Sequence, residues 1–195
     1  MVEAPGVSRA GLSAVAWALF AVSLTALAHA AYIPAKAWLA QRLLAYAWQQ
    51  RGGAAGPGRP WPGADMRPLA RLRQQRLGVD QIVLDGASGR VLAFAPGHVV
   101  GSALPGQRGN VVISAHRDTH FRWLAGLRSH DELELEDVDG AVRRYAVEGW
   151  SVVHERSAEL LDPFAGDGLR LVTCYPFDGV APGTPWRFVI TARPV

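Results

Sequence analysis

The sequence predicts an all-β domain, a barrel or sandwich of about eight strands with short helices, preceded by an N-terminal membrane helix. Three observations carry this. Apolar runs of strand length, rich in Val, Ile and Leu, recur through residues 65–195, and runs this short suit strands better than helices. Turn pairs separate them, among them Asp85-Gly86, Ser88-Gly89, Pro96-Gly97, Pro105-Gly106, Asp139-Gly140, Asp167-Gly168 and Pro182-Gly183, in which Gly reaches positive φ and Pro presets a turn. Ahead of them all, residues 10–33 hold no formal charge with His29 neutral.

Composition sets the outer limits. A chain of 195 residues with 49% hydrophobic content supports one ordinary domain plus an accessory segment. The net charge of +3 lies in residues 1–51, where Arg9, Lys36, Arg42 and Arg51 face only Glu3. Beyond them sixteen Lys or Arg balance sixteen Asp or Glu. A nucleic-acid-binding domain needs its basic footprint on the folded part, so nucleic acid is not an expected partner. The sequence has no internal repeat, no phosphate-cradling Gly loop and no cysteine-based zinc pattern.

In chain order, residues 10–33 come first, twenty-four positions including Leu12, Trp17, Phe20, Leu24 and Leu27. At 1.5 Å of rise per residue such a helix spans a hydrocarbon core of roughly 30 Å, which makes membrane lipid a partner. The other reading is a cleaved signal peptide, because Ala28-His29-Ala30 has the small-x-small form of a processing site; both imply export. Lys36, Arg42 and Arg51 follow the segment while only Arg9 and the terminal amine precede it. Counted strictly, the positive-inside rule puts the C-terminal domain in the cytoplasm, and the family resemblance below reverses that. Residues 35–50 are helix-friendly, with Trp38, Leu43, Tyr46 and Trp48 among Gln and Arg, which suits either the membrane interface or a helix packed on the domain. The Gly- and Pro-rich residues 52–63 read as a linker. The boundaries are therefore 1–34 for the membrane segment, 35–64 for helix and linker, and 65–195 for the folded domain.

Within that domain the predicted strands are 69–73, 81–84, 91–94, 110–115, 132–136, 142–153, 169–174 and 186–192, with a short helix at 121–127. In the fifth strand Glu132, Glu134 and Glu136 alternate with Leu133 and Leu135, placing three carboxylates on one face. A solvated strand face explains this, with calcium as the lesser reading and no other cofactor implied.

Three stretches carry chemistry. The only cysteine, Cys174, ends the apolar run Leu169-Arg170-Leu171-Val172-Thr173. A lone Cys in an exported chain cannot serve an internal disulfide, so it is inert packing or a reactive thiol. Ile113-Ser114-Ala115-His116-Arg117-Asp118-Thr119-His120 runs a strand into a polar loop. If extended backbone continued there, His116, Asp118 and His120 would share a face of metal-ligand character, though it still needs a further ligand. A structural His116 at a strand end is the plainer reading. Arg187 opens the terminal apolar strand, where a single Arg is ordinarily a solvated edge residue.

Taken together, the Ala-His-Arg segment, the Leu-Val-Thr-Cys segment and an Arg thirteen residues past the Cys resemble the sortases over residues 61–195, most of all the proteobacterial group. The resemblance implies a closed β-barrel and a membrane-anchored cysteine transpeptidase. Such enzymes cut a C-terminal sorting signal of the Leu-Pro-x-Thr-Gly kind and pass the acyl part to an amine. It also implies that Cys174 is the nucleophile, His116 the acid and base, and Arg187 the oxyanion donor, with Thr173 and Ala115 shaping the substrate site. The partners it implies are an exported protein bearing the signal and an amine acceptor; the setting is an inner-membrane anchor with a periplasmic domain. One departure is Arg170, which stands where many sortases have Thr. A cysteine hydrolase using the same residues and a non-catalytic exported binding module are the competing functions.

Overall fold

The computed structural model describes residues 9–50, 59–157, 166–179 and 183–195. The predicted linker 52–63 lies outside the described residues as far as residue 58. Helix α1 (Arg9–Gln49) takes in both the apolar segment and the predicted helix that follows, with Pro34 inside it. The chain divides into two units, Met1–Lys36 and Ala37–Val195. In the first, the side chains of residues 12–32 are all exposed, Leu12, Phe20 and Leu27 among them. This is the one helix among the described residues long and apolar enough to cross a membrane.

In the second unit eight strands close into a barrel. They are β1 (Pro68–Gln74), β2 (Val79–Leu84), β3 (Gly97–His98), β4 (Asn110–Ser114), β5 (Glu132–Asp137), β6 (Val142–His154), β7 (Gly168–Cys174) and β8 (Trp186–Pro194). Their order around the barrel is β1-β2-β3-β4-β7-β8-β6-β5. The alternation read in the sequence is what makes a wall: on β7, Leu169, Leu171 and Thr173 are buried while Arg170 and Cys174 are not fully so, as a period of two demands. The inward faces meet in one core that includes Leu72, Ile113, Leu133, Tyr145, Leu171 and Ile190.

Residues 91–94 do not form the predicted strand. Val91 and Leu92 close a helical turn, α2 (Gly89–Leu92), capped by Ser88, whose Oγ accepts from the Val91 N–H, and Ala93 and Phe94 form the turn after it. A run of four apolar residues has no period of its own, and here the N-cap decides. The turn lets Val91 and Phe94, three apart, pack together against Leu44, Trp48 and Ile82. The vacant place in the wall is filled by β3, where Gly97 is required: a Cβ there would meet the Gly86 carbonyl oxygen at 2.2 Å.

Because β3 is only two residues long, β2 lacks a strand partner along much of its outer edge, and an open edge invites unwanted pairing. The helical residues from Ala37 onward cover it. Gln41 both accepts from the Ile82 N–H (2.8 Å) and donates to the Ile82 carbonyl (3.2 Å), and Leu44 and Trp48 are buried beside Ile82, Leu84 and Met66. The carboxylate face of β5 is spoken for as well, since Arg73 pairs with Glu134 (3.2 Å) and Glu136 (3.5 Å), and Arg144 with Glu134. The predicted helix at 121–127 is a 3-10 helix over Arg122–Gly126.

Candidate active site

Strands β4 and β7 run parallel, in register from Asn110 opposite Gly168 to Ser114 opposite Val172. The ladder goes one step further, the Ala115 N–H donating to the Val172 carbonyl at 3.1 Å. Thr173 then locks it, its Oγ1 donating to the Ala115 carbonyl at 2.7 Å. Both residues are buried toward the core, so neither side chain lies on the open surface. His116 follows directly, just past the end of β4, where the chain leaves the sheet. On the other side of β7, the antiparallel pairing with β8 puts Arg187 directly opposite Cys174. Cys174 and Arg187 thus stand side by side at one rim, on the paired ends of β7 and β8.

Their side chains belong to the outer face, because Thr173 and Phe188 take the inner one. His116 is exposed, and Cys174, a free thiol, is half-buried. Along that outer face Val112, Val172 and Val189 form a buried apolar cluster with Val99 and Val153 against it. On the inner side Phe177 and Tyr175 pack on Phe188, with ring centroids 5.0 and 6.3 Å away. The backbone around Cys174 is therefore held from both faces.

The loops that follow His116 and Cys174 are joined by Arg117. Its guanidinium is buried and donates from Nη1 to the Pro176 carbonyl (2.6 Å) and from Nη2 to the Gly179 carbonyl, with Asp118 at 3.3 Å from Nε. Sequence reasoning gave Arg117 no role. Gly179 makes room for it: a Cβ there would come within 2.8 Å of Arg117 Nη1.

The extended continuation that would align His116, Asp118 and His120 is not formed. The chain turns, the Phe121 N–H donating to the His116 carbonyl at 3.0 Å, so that His120 is buried while Asp118 is exposed. Burial, and secondarily the charge of His116, push the His120 imidazole down to about 4. Its Nε2 finds no hydrogen-bond partner among the described residues. The described residues gather no group of three or more His, Cys, Asp or Glu able to hold a metal ion.

Arg187 is held at its tip. Nη1 donates to the carbonyls of Thr184 (2.5 Å) and Trp186 (3.0 Å), and Nη2 to Glu155 Oε2 (2.5 Å). A thiol and a guanidinium on paired strand ends, with an imidazole on the loop after the neighbouring strand, offer a nucleophile, a fork of N–H donors and a proton relay, which are the parts that acyl transfer to sulfur uses.

The model of the Sortase domain matches residues 72–195. The chain belongs to the sortase family. Sortase D of Bacillus subtilis (strain 168) is 28% identical over 124 residues, 64% of this chain. Among solved structures, Sortase A from Corynebacterium diphtheriae superposes with a TM-score of 0.60 at 27% identity, covering 68% of this chain and 63% of that one. Sortase C-1 from Actinomyces oris does so at 0.58 and 26% identity, over 66% and 75% of the two chains. The match takes in 62% of the Bacillus relative's length. In this sortase the matched region begins at Leu72, inside β1, and runs through His116, Cys174 and Arg187.

Proposed function

We propose that the protein is a cysteine transpeptidase that cleaves a Leu-Pro-x-Thr-Gly-like signal at the C-terminus of an exported protein and joins the product to an amine. The observation that supports this reading is the pairing of Cys174 with Arg187 across β7 and β8, with His116 just past the end of β4, the strand on the other side of β7. The Cys174 thiol gives its proton to His116, and the thiolate attacks the carbonyl carbon between Thr and Gly. Arg187 N–H groups receive the charge that develops on the carbonyl oxygen. The C–N bond breaks as His116 returns the proton to the departing Gly amine, leaving an acyl thioester on Cys174. An incoming amine attacks the thioester, His116 takes its proton, an amide forms and the thiolate is released. Thr173 and Ala115 act from beneath: their hydrogen bond fixes the spacing of β4 and β7 under the bound peptide. No step calls for a metal or an organic cofactor.

Within the family we place the chain in the proteobacterial group, on its Ala115-His116-Arg117 and Leu171-Val172-Thr173-Cys174 segments; the Bacillus, Corynebacterium and Actinomyces relatives support the family at large. The exposed apolar surface of residues 12–32 supports an inner-membrane anchor, with the barrel in the periplasm. The test is mass spectrometry of the full chain in detergent micelles with a Leu-Pro-x-Thr-Gly peptide library, with and without triglycine. The expected result is cleavage after Thr, an acyl adduct on Cys174 and a ligated product. Cleavage without ligation would make the protein a hydrolase, and an intact library with a Cys174 that resists alkylation would make it a binding module.

A further inference from the structure

Glu155 stands one residue beyond the end of β6, thirty-two positions from Arg187, yet its carboxylate takes the Arg187 Nη2 at 2.5 Å. Its place is built by backbone. The register of β6 on β8 shifts between Val147 and Gly149, and from there Val153 falls opposite Arg187 and His154 opposite Trp186. His154 packs edge-on against Trp186 at 5.6 Å, which commits the strand end to one face and turns residues 153 and 155 to the other. The Glu155 N–H then donates to the Pro185 carbonyl at 2.7 Å, stitching this residue to the segment that carries Arg187.

An Arg side chain has much rotamer entropy to lose, and a donor stabilises a developing oxyanion best when that ordering is complete beforehand. The guanidinium has five N–H donors. Among the described residues, two acceptors on Nη1 and one on Nη2 leave the Nε–H and one Nη2–H for another acceptor. Two of the three holding groups, Thr184 and Trp186, are backbone carbonyls within three residues of Arg187, so they travel with it. Among the described residues, Glu155 alone ties the fork to a different part of the chain. The Glu155 side chain is 43% exposed, and a pair that wet is screened and adds little by its charge. The effect of Glu155 on the site is therefore one of aim more than of charge.

We propose that Glu155 is the positioning residue for Arg187, holding its guanidinium so that the remaining N–H groups face the carbonyl under attack at Cys174. This rests on the reading of Arg187 as the oxyanion donor, and the experiment separates the two. Glu155→Ala, Glu155→Gln, Arg187→Ala and the double variant Glu155→Ala/Arg187→Ala are made in the full chain in detergent micelles. Each is assayed with a Leu-Pro-x-Thr-Gly peptide that the wild type cleaves, and its melting is compared with that of the wild type. Glu155→Ala should lower kcat about tenfold with KM changed less than about twofold, short of the 10²- to 10³-fold expected for loss of the donor itself. Glu155→Gln, which keeps an acceptor at the same reach, should recover most of the loss. In the Arg187→Ala background Glu155→Ala should cost nothing more. A further tenfold loss there, or full activity of Glu155→Ala beside a crippled Arg187→Ala, would overturn the role of Glu155 alone. An unaffected Arg187→Ala would overturn both readings.

Discussion

At the scale of single residues, the proposed chemistry separates function from folding. Cys174 and Arg187 sit on the outer face of the barrel wall, so truncating either removes no core contact. Cys174→Ala should abolish peptide cleavage and Arg187→Ala lower it by roughly 10²- to 10³-fold, both with melting temperatures within a few degrees of wild type. Cleavage retained by Cys174→Ala would end the thioester mechanism. Arg187→Lys should recover little, because an ammonium cannot offer the fork that Thr184, Trp186 and Glu155 hold. His120 makes the opposite case, a residue beside the site whose mark is on stability. Its imidazole is buried and pushed down to about 4 from an ordinary 6.5. Between these values the unfolded chain binds a proton that the folded one refuses, so stability is full above about pH 6.5 and falls as the pH drops toward 4. The loss is on the order of 2–3 kcal/mol. His120→Gln should flatten this part of the melting-temperature-against-pH curve; an unchanged slope would assign it to other groups.

At the scale of elements, the residues of α1 from Ala37 onward are part of the barrel's own packing. Leu44 and Trp48 are fully buried, and Gln41 closes the backbone of Ile82. A chain of residues 37–195 should unfold in urea like the full protein, whereas residues 60–195 should lose about 3 kcal/mol or more, the burial of two large side chains. Equal midpoints would mean that the helix adds nothing to the barrel. Strands were legible in the sequence where apolar runs stood between turn signals, as in Leu169-Arg170-Leu171-Val172-Thr173-Cys174, now in β7, or where alternation ran on, as in Glu132-Leu133-Glu134-Leu135-Glu136, now in β5. The failure at 91–94 came from a run too short to show a period, and β3 is two residues long, below the reach of any pattern. His116, Cys174 and Arg187 could be picked out because each closes or opens an apolar run and together they match a family pattern. Glu155 and Arg117 could not. Their partners lie thirty-two positions away and, for the farther of the two Arg117 carbonyls, sixty-two, and the register shift that aims β6 depends on pairing that no local pattern encodes.

At the scale of the whole molecule, the two units have opposite surfaces. The chain's entire net charge belongs to residues 1–51, and the remainder is neutral, so the barrel has no net charge with which to bind an anionic membrane surface. Any hold on lipid must come from the apolar helix. Its exposed side chains between Leu12 and Tyr32 include Trp17, Phe20, Val22, Leu24 and Leu27, apolar around the helix rather than on one stripe, which is the pattern of a span and not of a helix lying on the surface. The Ala28-His29-Ala30 site is the point at which a signal peptide would be cut, and the anchor reading requires that it stay uncut. The mature protein should therefore keep residues 12–33, pellet with membranes, and resist both alkaline carbonate and 1 M salt, either of which strips a protein bound by charge. The measurement is the intact mass of the membrane-extracted protein beside its partition in carbonate. A mass lacking the first thirty residues, with the protein in the soluble fraction, would make the segment a signal peptide; full mass with release by salt would mean that charge, not the helix, holds it.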